Sequence, residues 1–270
     1  MSRSSFMPYR PAVLAAAIAA AGLAVAGCGP HVTVNSAGTP SSSPAAAGKA
    51  TASASAASGT SNSGLASAYS IFPAAVGNTW VYDETLATGS GTGTGTNRIT
   101  AVTPVAGGEQ VTMTVQSQLP ELPASKPATV DLIFHSDGSI SYPLAQLGST
   151  AVTIKSGSII WPSAAQLASG QPYTDQLVMS VTEAGHATTV TANVVVKGAG
   201  SATVTVPAGT YQTTLINETL TEQIEGVAVT IEIQNWDAHG VGPVKTEVTS
   251  IAEGKTSTVS TEELKSFTKG

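Results

Sequence analysis

The chain of 270 residues contains one cysteine, Cys28, so no disulfide can close within it and a zinc site built on several thiolates is excluded. Aromatic residues supply 5% of the chain and charged residues 10%, against about a quarter charged in an ordinary soluble domain. Bases are the scarcer charge. Of 11 Lys and Arg, three (Arg3, Arg10 and Lys49) precede residue 70, so residues 70–270 keep 11 − 3 = 8 basic groups against all 17 acidic ones, a net charge of 8 − 17 = −9. That balance speaks against a nucleic-acid partner and repels anionic head groups and polymers. Long hydrophobic runs are limited to Ala12–Ala26, too short to span a bilayer comfortably. Helical periodicity is missing except over Pro162–Gly170, barely two turns with Pro and Ser at its start and Gly at its end. The nucleophile elbow G-x-S-x-G, the S-x-x-K plus S-D-N pair and H-E-x-x-H are all absent.

What is present begins with that apolar run. Arg3 and Arg10 precede it and small residues follow, which predicts a signal peptide over residues 1–27. Val25-Ala26-Gly27-Cys28 resembles the bacterial lipobox, and the expectation is a lipidated Cys28 at the mature N-terminus; a chance cysteine beside an ordinary cleavage site is the competing reading. Two acyl chains, at about 0.8 kcal/mol per buried CH₂, anchor stably where one does not. The expected partner is therefore a membrane, held through the lipid and not through basic residues. Gly29 follows the cysteine where Asp would signal inner-membrane retention, so the expected location is the outer leaflet of the cell membrane, or the outer membrane of a cell with two. Residues 28–70, rich in Ala, Ser, Gly and Pro with Lys49 as their only charge, predict a disordered tether with a reach of roughly 35 Å.

Residues 71–270 read as one all-β domain. Over Ala202–Val248, Val227, Val229, Ile231 and Ile233 alternate with Ala228, Thr230, Glu232 and Gln234, the two-residue period of a sheet with one face in a core. Turn signals at Gly77-Asn78, Gly107-Gly108, Asp137-Gly138, Gly198-Ala199-Gly200, Glu225-Gly226 and Glu253-Gly254 separate ten to thirteen strands. Gly89–Thr96 reads as a hairpin tip, and as no P-loop, because no helix or lysine follows it. Leu119–Pro123 reads as a loop or edge, because its prolines remove ladder donors. Successive hairpins predict a single antiparallel meander curled into a half-open barrel, with one short helix near 163–169.

Three motifs carry a family resemblance: Gly77-Asn78-Thr79-Trp80-Val81-Tyr82, Val206-Pro207-Ala208-Gly209-Thr210-Tyr211 and Gly240-Val241-Gly242-Pro243-Val244-Lys245. In that order the chain resembles a broad family of uncharacterised bacterial secreted proteins and lipoproteins, over about Phe72 to Val248. The resemblance implies a curved antiparallel sheet similar to the half-barrel of Lol-type lipoprotein carriers. It implies no catalytic residue, since the shared positions are turn and core residues.

Candidate chemistry is thin. His31 falls in the tether and His186 beside a turn. Asp237-Ala238-His239 offers a carboxylate and an imidazole two apart, read as a polar strand end in preference to a metal site. His135 and Asp137 flank a tight turn that backbone geometry explains. Glu218 with Glu222, and Glu262 with Glu263, are carboxylate pairs of the kind glycosidases use, expected here on exposed strand faces as solubility and edge-protection devices. The expectation is a non-enzymatic lipoprotein without cofactor or metal, holding an apolar ligand or an envelope protein on its concave face. A structural module of the envelope without a ligand cavity is the alternative, and an enzyme acting on envelope polymer the third.

Overall fold

The computed structural model describes residues 71–86, 92–118, 127–142, 152–157, 159–183, 186–224, 227–252 and 254–270. The signal peptide, Cys28, the tether, the Leu119–Pro123 segment and the Glu225-Gly226 turn lie outside them.

The chain enters at β1 (Thr79–Leu86), followed by β2 (Thr92–Val105), β3 (Gly108–Gln118), β4 (Ala128–His135), β5 (Ile140–Tyr142), β6 (Val152–Ser156) and β7 (Ile159–Trp161). The helix α1 (Ala164–Ala168) leads to β8 (Tyr173–Glu183), β9 (His186–Val206), β10 (Gly209–Ile224), β11 (Val227–Ala238), β12 (Gly242–Ala252) and β13 (Lys255–Thr268). Thirteen strands form one sheet in the order β6-β8-β9-β10-β11-β12-β13-β1-β2-β3-β4-β5-β7, every neighbouring pair antiparallel. The expected curled antiparallel sheet is what the residues build. The first and last strands lie side by side within it, β1 pairing with β13 from Thr79↔Thr268 to Leu86↔Ser260.

The sheet is curled and not closed, and its two edges are β6 and β7, consecutive in the chain. Two residues, 157 and 158, join them, so the edges stay within about 11 Å of each other at that point. Gly157 makes the junction sterically feasible: its φ is 99°, and a Cβ there would lie 2.0 Å from the Gln176 carbonyl oxygen.

Period-two alternation sets the core. Val190, Ala192, Val194 and Val196 on β9 are buried, as are Val229, Ile231 and Ile233 on β11, with polar neighbours such as Glu232 turned outward. The short helix stands where expected, with Ser163 as N-cap and Gln166 closing a capping box through Ser163 N to Gln166 Oε1 at 2.8 Å. Its Leu167 is buried, and its backbone sits so close to β9 that a Cβ on Gly198 would meet the Leu167 carbonyl oxygen at 2.7 Å.

That contact corrects one expectation. Gly198-Ala199-Gly200 does not turn the chain; β9 runs straight through it for 21 residues, and the one extra residue is absorbed as a bulge where Thr214 pairs with Ser201 and Ile216 with Gly198. The expected hairpin tip over Gly89–Thr96 is also too long. From Thr92 onward it is β2, with Gly93 and Gly95 opposite Glu84 and Tyr82 on the buried face, where the missing side chains leave those large neighbours room.

The three sequence motifs converge on one end of the curl. Trp80 Nε1 donates to the Val241 carbonyl at 2.6 Å, Tyr82 Oη to the Pro243 carbonyl at 3.1 Å, and Ala208 N to the Leu264 carbonyl at 2.9 Å. Phe72 stacks on Trp80 with ring centroids 5.0 Å apart, Phe267 stacks on the same indole at 5.1 Å, and Phe134 meets Phe72 edge-on at 5.8 Å. These residues plug that end, so the motifs specify architecture.

Candidate functional site

The concave face is apolar over much of its area, with Leu132 and Phe134 on β4, Leu177 and Met179 on β8, and Val194 and Val196 on β9 all buried. A polar belt interrupts it. Cross-strand register places Glu84 of β1 opposite Glu262 of β13, Glu262 opposite Thr246 of β12, and Thr246 opposite Asn235 of β11. Thr246 Oγ1 donates to Asn235 Oδ1 at 2.8 Å, and Ser117 Oγ donates to Glu84.

One pleat away lies a cluster the sequence reading placed in water. Glu218 and Glu222 are not on an exposed face: they are 1% and 4% exposed, on the concave side of β10. The signal was parity. Ile216, Glu218, Leu220 and Glu222 are all even-numbered positions of one strand, so the two glutamates share a face with the buried Ile and Leu, and Asn217, Thr219 and Thr221 take the other. The same two-residue period carries the odd-numbered Ile233, Asn235 and Asp237 of β11 inward. Glu218 is opposite Ile233, and so diagonal to Asn235.

Asp237 does not serve as a polar strand end with His239. A register shift between Trp236 and Asp237 buries Asp237 and Ala238 together, and His239 is exposed, so carboxylate and imidazole are not brought together. The partner of Asp237 comes instead from the far edge of the sheet, where Trp161 of β7 hydrogen-bonds to it through its indole N–H. Since β7 and β11 lie in opposite halves of the sheet order, this bond crosses the interior. Tyr142 of β5 reaches in from the same edge, and its hydroxyl lies within electrostatic range of both Glu218 and Asp237.

Burial dominates the titration of this cluster. It pushes Glu218 up to about 8, Glu222 to about 7 and Asp237 to about 7, the last in spite of the Trp161 hydrogen bond. Burial, with the carboxylates of Glu218 and Asp237, raises the Tyr142 hydroxyl as well. Among the described residues no Lys or Arg is buried. Both oxygens of Glu218, Oε1 of Glu222, Oδ1 of Asp237, Nδ2 of Asn235 and the Tyr142 hydroxyl have no hydrogen-bond partner in the protein. Buried polar atoms without partners are few in native proteins, so their concentration in one interior singles it out.

The other candidates resolve into structure. Asp137 accepts from Ser139 N at 2.9 Å and Ser139 Oγ at 2.6 Å, which holds its carboxyl below the usual range and pins the β4–β5 turn. His135 Nε2 lies 2.8 Å from Ser141 Oγ, and the Asp137 carboxylate is committed to Ser139. Glu263 pairs with Lys245 at 3.3 Å, and Lys245 also lies 5.5 Å over the Trp236 ring, both on the outer face. Glu262 is half-buried on the concave side, so this second pair is divided between the faces. Among the described residues no three His, Cys, Asp or Glu side chains come together in a way that would hold a metal ion, and no helix is long and apolar enough to cross a membrane.

No curated protein matches the sequence. Two solved structures share the fold. One is a chain from Parabacteroides distasonis ATCC 8503 designated a lipoprotein, with a TM-score of 0.55 and 17% identity over 73% of this chain and 98% of its own. The other is a chain from Bacteroides fragilis NCTC 9343 designated an exported protein with a YmcC-like fold, with a TM-score of 0.52 and 17% identity over 74% of this chain and 99% of its own. Both are spanned nearly end to end by the curled sheet, and the same stretch carries the family match: residues 75–264 fit the DUF3108-like profile, and the chain belongs to that family.

Proposed function

We propose that the chain is a lipid-anchored, extracytoplasmic, non-enzymatic binding protein whose concave face receives a ligand with an apolar body. The lipobox-like Val25-Ala26-Gly27-Cys28 supports the anchor, as do the designations of the two similar chains as a lipoprotein and an exported protein. The observation that carries the binding reading is the interior itself, where an apolar surface on β4, β8 and β9 adjoins unpartnered polar groups on β5, β10 and β11. Apolar surface with a few convergent polar groups is the usual makeup of a ligand site. Edges β6 and β7, tethered but not hydrogen-bonded to each other, provide a seam through which a ligand can enter.

The test is native mass spectrometry of the chain produced without residues 1–27, which keeps every strand of the sheet. Retention of a co-purified amphipathic molecule, lost on partial unfolding and regained on refolding with an extract of the host membrane, is the expected outcome. A chain that emerges free of any adduct and fails to bind fluorescent acyl or alkyl probes overturns the binding reading.

A further inference from the structure

The interior has a sign. Its described titratable groups are Glu218 and Glu222 on β10, Asp237 on β11, Tyr142 on β5, Glu84 and Tyr82 on β1, Glu109 on β3 and Glu262 on β13, and no base accompanies them. Three acceptor atoms, both oxygens of Glu218 and Oδ1 of Asp237, lack donors although their residues are 1% and 3% exposed. Asn235 sits diagonal to Glu218, yet its free Nδ2 and the free carboxylate oxygens do not meet. Neither group satisfies the other, so both remain open to a further partner.

We propose that Glu218 and Asp237, flanked by the Tyr142 hydroxyl, bind the protonated amine of an amphipathic ligand whose hydrocarbon part lies along the apolar wall of the same interior. This rests on the binding reading above and specifies its ligand class. A primary ammonium carries three N–H donors and no acceptor, which matches three orphaned acceptor atoms on two carboxyls. A buried acid that gives up its proton needs a counter-charge, and since no base among the described residues reaches Glu218 or Asp237, a cationic ligand supplies it as they ionise on binding. A bare metal ion is a poor alternative, because no three ligating side chains among the described residues converge. The apolar requirement follows from Val196 and Ile233, which sit opposite Glu218 on either side and are both fully buried. A fatty acid is the wrong partner, since its carboxylate would face two buried acids. The long-range field points the same way, because residues 70–270 carry a net −9, eight bases against 17 acids.

The experiment titrates the chain lacking residues 1–27 with decylamine, decanol and decanoate at neutral pH and follows heat or intrinsic fluorescence. Decylamine is expected to bind roughly tenfold or more tightly than either partner of equal chain length. Glu218→Gln is expected to weaken decylamine by about tenfold while leaving decanol unchanged, and Glu263→Gln on the outer face to change neither. Should Glu218→Gln fold poorly, Asp237→Asn carries the same expectation. If decanol or decanoate binds as tightly as decylamine, or if decylamine is indifferent to both interior variants, the amine site is wrong and the wider binding reading stands. If none of the three binds, both fall.

Discussion

The indole nitrogen of Trp80 donates to the carbonyl oxygen of Val241, 161 residues further along the chain, at 2.6 Å. That single bond joins β1 to the β11–β12 turn, and the ring that makes it is clamped between Phe72 and Phe267. Trp80→Phe keeps an aromatic ring in the clamp and removes the donor, leaving the carbonyl unpaired. The expected loss is about 1–3 kcal/mol in urea unfolding. Trp80→Ala also empties the clamp and is expected to cost about 3–5 kcal/mol, and two equal losses would show that the stacking in the clamp contributes nothing beyond the hydrogen bond.

Stability should fall as pH rises through neutrality, opposite to the common case of salt-bridged acids. Glu218 has a folded-state pKa of about 8 against 4.5 in the open chain, and Asp237 about 7 against 3.8, so between those limits the folded state binds more protons than the unfolded one. Each such group contributes stability that is complete below its unfolded pKa and lost as pH climbs to the folded value, at up to about 1.4 kcal/mol per pH unit. Melting temperature is expected to decline from acid toward pH 8, and Glu218→Gln to flatten the upper part of that decline. A profile that rises with pH across this window would contradict buried, unpaired acids.

Two glycines with similar backbone angles should respond differently to substitution. Gly107 (φ 81°) has open space around its missing Cβ, whereas at Gly157 (φ 99°) a Cβ would overlap the Gln176 carbonyl at 2.0 Å. Gly107→Ala is expected to cost about 1–2 kcal/mol from backbone conformation alone. Gly157→Ala must also displace β8 or detach the β6 edge, and its cost should exceed that of Gly107→Ala. Hydrogen exchange should locate the added opening on β6. Equal costs would mean that the β6–β7 junction yields freely.

Local chemistry was readable before any coordinates. Asp137-Gly138 announced its hairpin, Ser163 and Gln166 their helix cap, and the alternation of Val229, Ile231 and Ile233 its buried face. What escaped was tertiary. Residue type alone says Glu218 and Asp237 belong in water, and only their parity with Ile216, Leu220 and Ile233 says otherwise. Their neighbours Tyr142 and Trp161 come from the last two strands at one side of the sheet, three residues each and too short to show a period, and they arrive only because the sheet curls. Glycine misled in the other direction: Gly198 and Gly200 have the composition of a turn, but one seats a helix and the other, at φ 99°, shapes a bulge.

Cys28→Ser tests the anchor independently of the sheet. The wild-type chain is expected in the membrane fraction, labelled on Cys28 by a metabolically supplied alkynyl fatty acid, and the variant unlabelled. Label retained by the variant would place the lipid elsewhere and remove the role assigned to the sequence before Gly29.

The polar interior offers a last discrimination, between a network that holds the fold and one that awaits a partner. Thr246 Oγ1 donates to Asn235 Oδ1 at 2.8 Å in a fully buried setting, so Thr246→Val strips a donor from a side chain that cannot reach water. It is expected to cost about 1–3 kcal/mol. Tyr142 Oη has no partner in the protein, so Tyr142→Phe removes only a desolvated hydroxyl and is expected to leave stability unchanged or raise it by up to about 1 kcal/mol. The two variants therefore move stability in opposite directions if the belt is structural and the Tyr142–Glu218–Asp237 cluster is not. A Tyr142→Phe loss as large as that of Thr246→Val, measured by denaturant unfolding without added ligand, would assign the hydroxyl to the fold and remove it from any binding role.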